Sequence, residues 1–388
     1  MEITKYKLGD VLNFYNGRLR PNSKGPFPVF GGNGIIEYVA EYNYENNIII
    51  GRVGANCGSV QKYDGKCWVS DNAISVTVKD GFNKDCVYYL LKLLDLNKKH
   101  IGAAQPLLTQ EIISNLVVYL PKYDDQEKIA SVLSALDDKI ALNKKMNQKL
   151  EAMAKRLYDY WFVQYDFPDK NGHPYKTTGG PMTYNETLKR EIPVGWEVKT
   201  LADFAEYVKA TTKFDKAFNY VSTDNMMPQK QGLSGEILNP ASGNVLCYEK
   251  DDILISNIRP YFKKIWYADQ SGTCSTDVLC IRSLNSDNSY FVYKTLWQDD
   301  FFDYVMQGAK GSKMPRGDKT RIMNYPICIA KDNFDELIKK FSALVVPMQT
   351  VIQKNTKEIS HLTKIRDKIL PLLMNGQVVV DDFKRGDN

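Results

Sequence analysis

Two stretches of this chain carry the same seven-residue rhythm. From Ile129 an abcdefg register places Ile129, Leu136, Asn143, Leu150 and Leu157 at a, and Leu133, Ile140, Asn147, Ala154 and Trp161 at d. A shift of 212 residues puts Phe341, Met348, Asn355, Leu362 and Ile369 at a, with Val345, Ile352, Ile359, Arg366 and Leu373 at d. Five heptads in each copy predict two helices that bury one stripe against each other, as in a coiled coil. Each helix is expected to span about 33 residues, or about 50 Å at ~1.5 Å per residue. Pro347 is expected either to kink the second helix or to mark its true start.

The repetition continues outside the helices. Asn47-Ile48-Ile49-Ile50-Gly51-Arg52 matches Asp252-Ile253-Leu254-Ile255-Ser256-Asn257, and each leads through a polar loop to a second apolar strand, at Asn72 to Val76 and Asp277 to Ile281. Gln105-Pro106 falls on Met314-Pro315, and Ile113 to Val118 on Ile322 to Ile327. Tyr88 to Leu94 and Tyr290 to Tyr304 read as one helix in each half. The predicted fold is α+β: two similar, mixed β-rich α/β globules joined by a long antiparallel two-helix coiled coil, an internal repeat with pseudo-two-fold symmetry. The antiparallel sense follows from symmetry, because a two-fold axis crossing the helices reverses one against the other. That register faces Ile129 with Leu373, Trp161 with Phe341 and Asn147 with Asn355. Asn143, Asn147 and Asn355 are the polar residues of the seam, expected to fix register at some cost in stability.

The expected boundaries are 1–123 for the first globule, 124–162 for the first helix, 163–196 for a linker, 197–332 for the second globule, 333–376 for the second helix and 377–388 for a tail. The linker is marked by Phe167-Pro168-Asp169-Lys170-Asn171-Gly172-His173-Pro174 and Thr177-Thr178-Gly179-Gly180-Pro181, both rich in turn formers.

Composition narrows the function classes. With 388 residues, 43% hydrophobic and 25% charged, the chain is ordinary globular material and not disordered or fibrous. No apolar run approaches the roughly 18 residues of a membrane span, and Met1 to Lys5 has neither the basic start nor the apolar stretch of a secretory signal. Seven cysteines without a C-x-x-C pair suit a reducing compartment. The expectation is a cytoplasmic protein without a membrane partner. A net charge of +5 permits nucleic acid without requiring it.

Motifs for catalysis are incomplete. Phe30-Gly31-Gly32-Asn33-Gly34 has the glycine spacing of adenosylmethionine loops, but the chain lacks the Asn/Asp-Pro-Pro-Tyr segment that holds a target amine, so a turn is the better reading. Pro168-Asp169 with Glu197-Val198-Lys199 matches a nuclease spacing, yet the first carboxylate falls in a Gly/Pro linker and not on a core strand. Gly54-Ala55-Asn56-Cys57-Gly58-Ser59 has no phosphate-binding lysine, and His100, His173 and His361 are far apart. No catalytic residue, cofactor or metal is expected.

Basic and amide residues gather instead in the loops. Lys310, Lys313, Arg316, Lys319 and Arg321 fall close together in the second half, and Arg259, Tyr261, Lys263 and Lys264 occupy another loop. Arg18, Arg20 and Lys24 cluster in the first half, with Arg52, Asn56 and Gln105 in loops equivalent to those of the second. Lysine suits phosphate, whereas Arg, Asn and Gln match base edges in the major groove.

Taken with Pro28 to Ile36, Asp125-Gln126-Glu127-Lys128-Ile129, Leu157-Tyr158-Asp159-Tyr160-Trp161-Phe162 and Ile192-Pro193-Val194-Gly195-Trp196, the chain resembles the specificity subunit of type I restriction–modification systems over nearly its whole length. The resemblance implies two target-recognition domains that read a bipartite double-stranded DNA site, with two conserved helical regions setting their distance. It also implies that methylation and cleavage reside in partners: two methyltransferase subunits and an endonuclease/translocase subunit. A helix of about 50 Å exceeds one B-DNA turn of ~34 Å, which suits separated half-sites. The rival reading is a coiled-coil adaptor joining two protein-binding modules without DNA. Two departures from plain duplication stand out: Gly102 to Pro106 is uncharged where its counterpart is basic, and Arg366 sits at a d position equivalent to Ala154. Arg366 either pairs with an acidic neighbour or marks where a partner's helix docks.

Overall fold

A computed structural model of the chain describes residues 2–102, 106–235, 238–240 and 243–380. The chain divides into two units, Met1–Leu142 with Glu358–Asn388, and Asn143–Lys357.

The first unit opens with β1 (Ile3–Lys7), α1 (Leu8–Val11) and β2 (Leu12–Asn16), followed by β3 (Phe27–Gly31), β4 (Gly34–Val39), β5 (Tyr44–Gly51), β6 (Val60–Val69) and β7 (Ala73–Val78). It continues with α2 (Lys84–Leu93), α3 (Gln110–Ser114), β8 (Val117–Pro121) and the start of α4 (Tyr123–Tyr158). A six-stranded sheet has the order β2-β7-β5-β6-β3-β4, and β1 pairs with β8 apart from it. Ile48, Ile49 and Ile50 of β5 are all buried. That continuous run, in place of alternation, marks a strand covered on both faces. Ile48 and Ile50 pack with Val87, Leu90 and Leu91 of α2, while Ile49 joins Phe30, Cys67 and Val69. Asn83 caps α2 by accepting from the amides of Asp85 and Cys86.

The second unit holds the hairpin β9 (Met182–Asn185) and β10 (Arg190–Pro193), then β11 (Trp196–Thr200), β12 (Ala205–Tyr207), β13 (Thr211–Lys213), β14 (Asn244–Tyr248) and β15 (Ile253–Ser256). After these come β16 (Ile265–Tyr267), β17 (Gly272–Cys274), β18 (Val278–Ser283), α5 (Ser289–Leu296), α6 (Asp299–Gln307), α7 (Lys319–Met323), β19 (Pro326–Ala330) and α8 (Phe334–Met374). Its sheets are β12-β18-β15-β16, β13-β14-β17 and the pair β11-β19.

Strand register shows that the duplication is structural. Ile48 faces Val76 and Lys62 in the first unit, and Ile253 faces Ile281 and Tyr267 in the second, each set 205 residues on. Ile3 opposite Pro121 likewise recurs as Trp196 opposite Ala330.

Three features differ from expectation. The stretch read as one helix from Tyr290 to Tyr304 is two, α5 and α6, because Gln298 is extended (φ −66°, ψ 152°). Asp299 and Asp300 then start a new helix, where carboxylates favour the positive end of the dipole. The 163–196 segment carries the β9–β10 hairpin, and Ile192 of that hairpin is buried with Tyr165 and Cys328. Finally, α8 runs 41 residues as one helix from Phe334, so Pro347 lies inside it and does not mark its start, and α4 runs 36 before a π-helical turn, Asp159–Val163. Interior proline costs about 3 kcal/mol. Phe341 and Val345, both 0% exposed just before it, anchor the helix strongly enough to outweigh that cost.

Within each unit α4 and α8 pack antiparallel. In the first, Ile129 and Leu133 share a core with Leu370, Leu373 and Met374. Arg366 Nη1 lies 2.6 Å from Asp137 Oδ1, so the arginine in the seam pairs with an acidic neighbour. In the second, Trp161 meets Phe341 with ring centroids 5.9 Å apart. Asn355 Nδ2 donates to Asn147 Oδ1 at 2.8 Å, and Asn147 Nδ2 donates to Thr356 Oγ1 at 3.3 Å. Asn143 and Asn355 are buried and Asn147 is half-buried. If this amide pair serves register more than stability, joint replacement of Asn147 and Asn355 by Leu raises stability by about 1–2 kcal/mol. Urea unfolding checks this, and a net loss shows that the pair stabilises the seam instead.

Candidate nucleic-acid interface

The basic loops are set by backbone bonds to the sheets. In the first unit, Gly17 N–H donates to Ala73 O, Arg18 N–H to Val69 O and Ser70 N–H to Phe30 O. Arg52 N–H donates to Asn72 O, Leu108 N–H donates to Arg52 O, and Gly54 N–H donates to Pro106 O. Loops 17–20, 52–59, 70–73 and the segment ending at 108 are thereby tied into one edge of the unit. Gly17 is obligatory there, since a β-carbon would fall 1.7 Å from Ser70 O.

The second unit builds the same edge. Asn257 N–H donates to Asp277 O, Gly317 N–H to Asn257 O and Arg259 N–H to Pro315 O. Lys310 and Arg316 exchange backbone bonds of 3.0 and 2.9 Å. Bridges repeat as well: Val53 with Leu107 and Ile101 with Leu107 in one unit, Ile258 with Arg316 and Lys310 with Arg316 in the other.

The side chains sort into two groups. Arg18, Lys24, Asn56, Arg259 and Lys313 are exposed, and none of the cations among them is ion-paired among the described residues. Tyr261 is exposed and packs its ring on Phe262 at 4.7 Å. Arg52 is half-buried. Arg20 pairs with Glu37 at 2.9 Å, Lys310 with Asp318 at 3.2 Å and Arg316 with Asp277 at 3.1 Å; each cation is exposed and each carboxylate half-buried, and pairs with an exposed cation exchange readily. Lys263 and Lys264 are held inward. Lys263 Nζ donates to Asp299 Oδ1 at 2.6 Å and Lys264 Nζ to Thr223 O at 2.5 Å. Lys230 joins the same carboxylate at 2.8 Å, and the two ammonium groups hold Asp299 down at about 2. Gln105 lies outside the described residues.

Sequence reasoning missed Asn257. Its Oδ1 is buried without a hydrogen-bond partner among the described residues, as is Arg52 Nε. The repeat alignment was the available signal, because Asn257 is the counterpart of Arg52. The described residues contain no group of His, Cys, Asp and Glu that could hold a metal ion. Their seven cysteines are free, and burial pushes the Cys67 thiol up to about 11. None of their helices is long and apolar enough to cross a membrane.

The family model for the type I restriction modification DNA specificity domain matches residues 1–152 and again 193–358. The chain is 27% identical over 326 residues to the type I restriction enzyme MjaIX specificity subunit of Methanocaldococcus jannaschii, covering 80% of this chain and 72% of that one. It is 24% identical over 340 residues to the HindI specificity subunit of Haemophilus influenzae, covering 70% and 71%. The crystal structure of a type I restriction–modification S subunit from M. genitalium superposes with a TM-score of 0.64 at 17% identity, over 98% of this chain and 96% of that one, a likeness of fold. With the family model matched in both repeats, this chain belongs to the type I restriction modification DNA specificity family.

Proposed function

We propose that the chain recognises a bipartite duplex DNA site, each unit reading one half through its pinned loop edge, and that it performs no catalysis itself. Methylation and cleavage then fall to partners: two methyltransferase subunits and an endonuclease/translocase subunit, gathered on this chain. The observation that carries the reading is the duplicated edge. Equivalent backbone bonds hold both copies, while the side chains they present differ, as two unlike half-sites require.

Exposed lysines supply the sequence-independent part. Lys313 and Lys24 suit phosphate, and the modest net charge leaves room for partners to contact the backbone too. Replacing Lys313 by Ala is expected to weaken binding to all duplexes alike and to lower the salt slope of log K by about one. Fluorescence anisotropy of labelled duplex across a salt series reads both. A purified chain that retains no DNA, or retains it independently of salt, refutes the proposal in favour of a protein-binding adaptor.

A further inference from the structure

Residues 52 and 257 occupy one place in the repeat. Each follows the central strand of its unit, β5 ending at Gly51 and β15 at Ser256. In each, the N–H donates at 2.9 Å to the loop before the neighbouring strand, at Asn72 O or Asp277 O. The carbonyl accepts from the far segment, from Leu108 N–H at 2.9 Å or Gly317 N–H at 3.3 Å. The backbone is fixed on both sides, so the side chain starts from a set point.

Each of these side chains also carries a buried polar atom with no hydrogen-bond partner among the described residues. Five such atoms occur among the described residues, and two of them, Arg52 Nε and Asn257 Oδ1, fall at this single repeated position. An unmade buried bond costs about 1–3 kcal/mol. Both atoms are covered in the free chain, and Asn257 Oδ1 faces the Gly317 backbone, so a base reaches them only when these half-buried side chains rotate outward. The unmade bond, borne at the same place in both halves, favours that rotation once a ligand supplies the partner. The two atoms want opposite things. Arg52 Nε is a donor and its guanidinium matches the O6 and N7 acceptors of guanine, whereas Asn257 Oδ1 is an acceptor and its amide matches the N6 donor and N7 acceptor of adenine.

We propose that position 52/257 is the base-reading position of each unit, Arg52 selecting a guanine in one half-site and Asn257 an adenine in the other. This rests on the DNA-recognition reading above and adds to it which residue reads, and what.

The test is enrichment of random duplex DNA on the full chain, followed by sequencing. Wild type is expected to enrich a two-part motif. Arg52→Ala erases a guanine preference in one half by roughly tenfold to a hundredfold and leaves the other half intact. Asn257→Ala does the same to an adenine in the other half. If both variants alter the same half, or weaken every sequence equally, the inference is wrong. A measurement free of folding effects uses wild-type chain on its own motif, with 7-deazaguanine or 7-deazaadenine at the assigned positions. Each is expected to lose affinity, and undiminished binding overturns the assignment. A wild-type chain that enriches no motif overturns the DNA reading itself, which is distinct from a motif that the variants leave unchanged.

Discussion

Replacing Phe341 by Ala is expected to cost the second unit about 3–5 kcal/mol of stability. Phe341 is 0% exposed and sits where α8 meets the end of α4 and its π-helical turn. Its ring contacts Phe162 edge-on at 5.1 Å, Trp161 at 5.9 Å and Tyr158 at 6.2 Å. Aromatic pairs of this geometry contribute about 0.5–1.5 kcal/mol beyond their buried area. The site cannot close around a methyl group, because the neighbours are held from other sides: Phe162 packs on Phe291 at 4.9 Å, and Tyr158 hydrogen-bonds Thr295 at 3.0 Å. Intrinsic fluorescence suits the measurement, since Trp161, Trp196, Trp266 and Trp297 all lie in this unit and only Trp68 in the other. Leu344→Ala on the same helix is the control, because Leu344 is 49% exposed and its loss should cost under ~0.5 kcal/mol. Equal effects from the two variants would falsify the view that this junction anchors α8 across Pro347.

The helices and their pairing were legible because a seam of fixed period leaves the same mark at every turn. The two-fold argument even placed Asn147 opposite Asn355, where a 2.8 Å bond joins them. Helix ends and interruptions were less visible, since they depend on competition between local preference and distant packing. Proline at 347 signals a break, yet Phe341 and Val345 override it. Nothing at Trp297-Gln298 signals one, yet the chain turns there and Asp299 gathers Lys230 and Lys263.

Loop chemistry was the least legible, because a lysine in a polar stretch reads alike whether it faces solvent or a carbonyl. Lys263 and Lys264 turn inward for partners tens of residues away. Lys294 is the extreme case. It is 1% exposed among Tyr290, Tyr293 and Trp297, with its Nζ 5.5, 5.1 and 4.8 Å from their ring centres, and burial lowers its pKa to about 8. The ring faces partly compensate the lost hydration. No local pattern in Tyr290-Phe291-Val292-Tyr293-Lys294 separates that lysine from one on a surface helix.

Replacing Arg282 by Ala is expected to cost about 3–5 kcal/mol, and the repeat supplies its own remedy. Asp252 is 2% exposed, and its carboxylate accepts from Arg282 Nε and Nη2 at 2.8 Å each and from the Glu249 N–H at 2.7 Å. Taking the guanidinium away leaves a buried anion short of its counter-charge. The first unit meets the same place differently. Position 252 corresponds to Asn47, 3% exposed, and 280 and 282 to Ser75 and Thr77, with Asn47 Nδ2 donating to Ser75 Oγ at 2.5 Å. A neutral amide therefore fills the start of the central strand without an arginine. Transferring that solution, Asp252→Asn together with Arg282→Thr removes the unpaired charge while keeping an acceptor for the Glu249 N–H. The double variant is expected to lose less than half of what Arg282→Ala loses, read from urea midpoints at one pH. Losses that simply add across Asp252 and Arg282 would mean that the two act independently, and that the buried charge is not what makes the arginine indispensable.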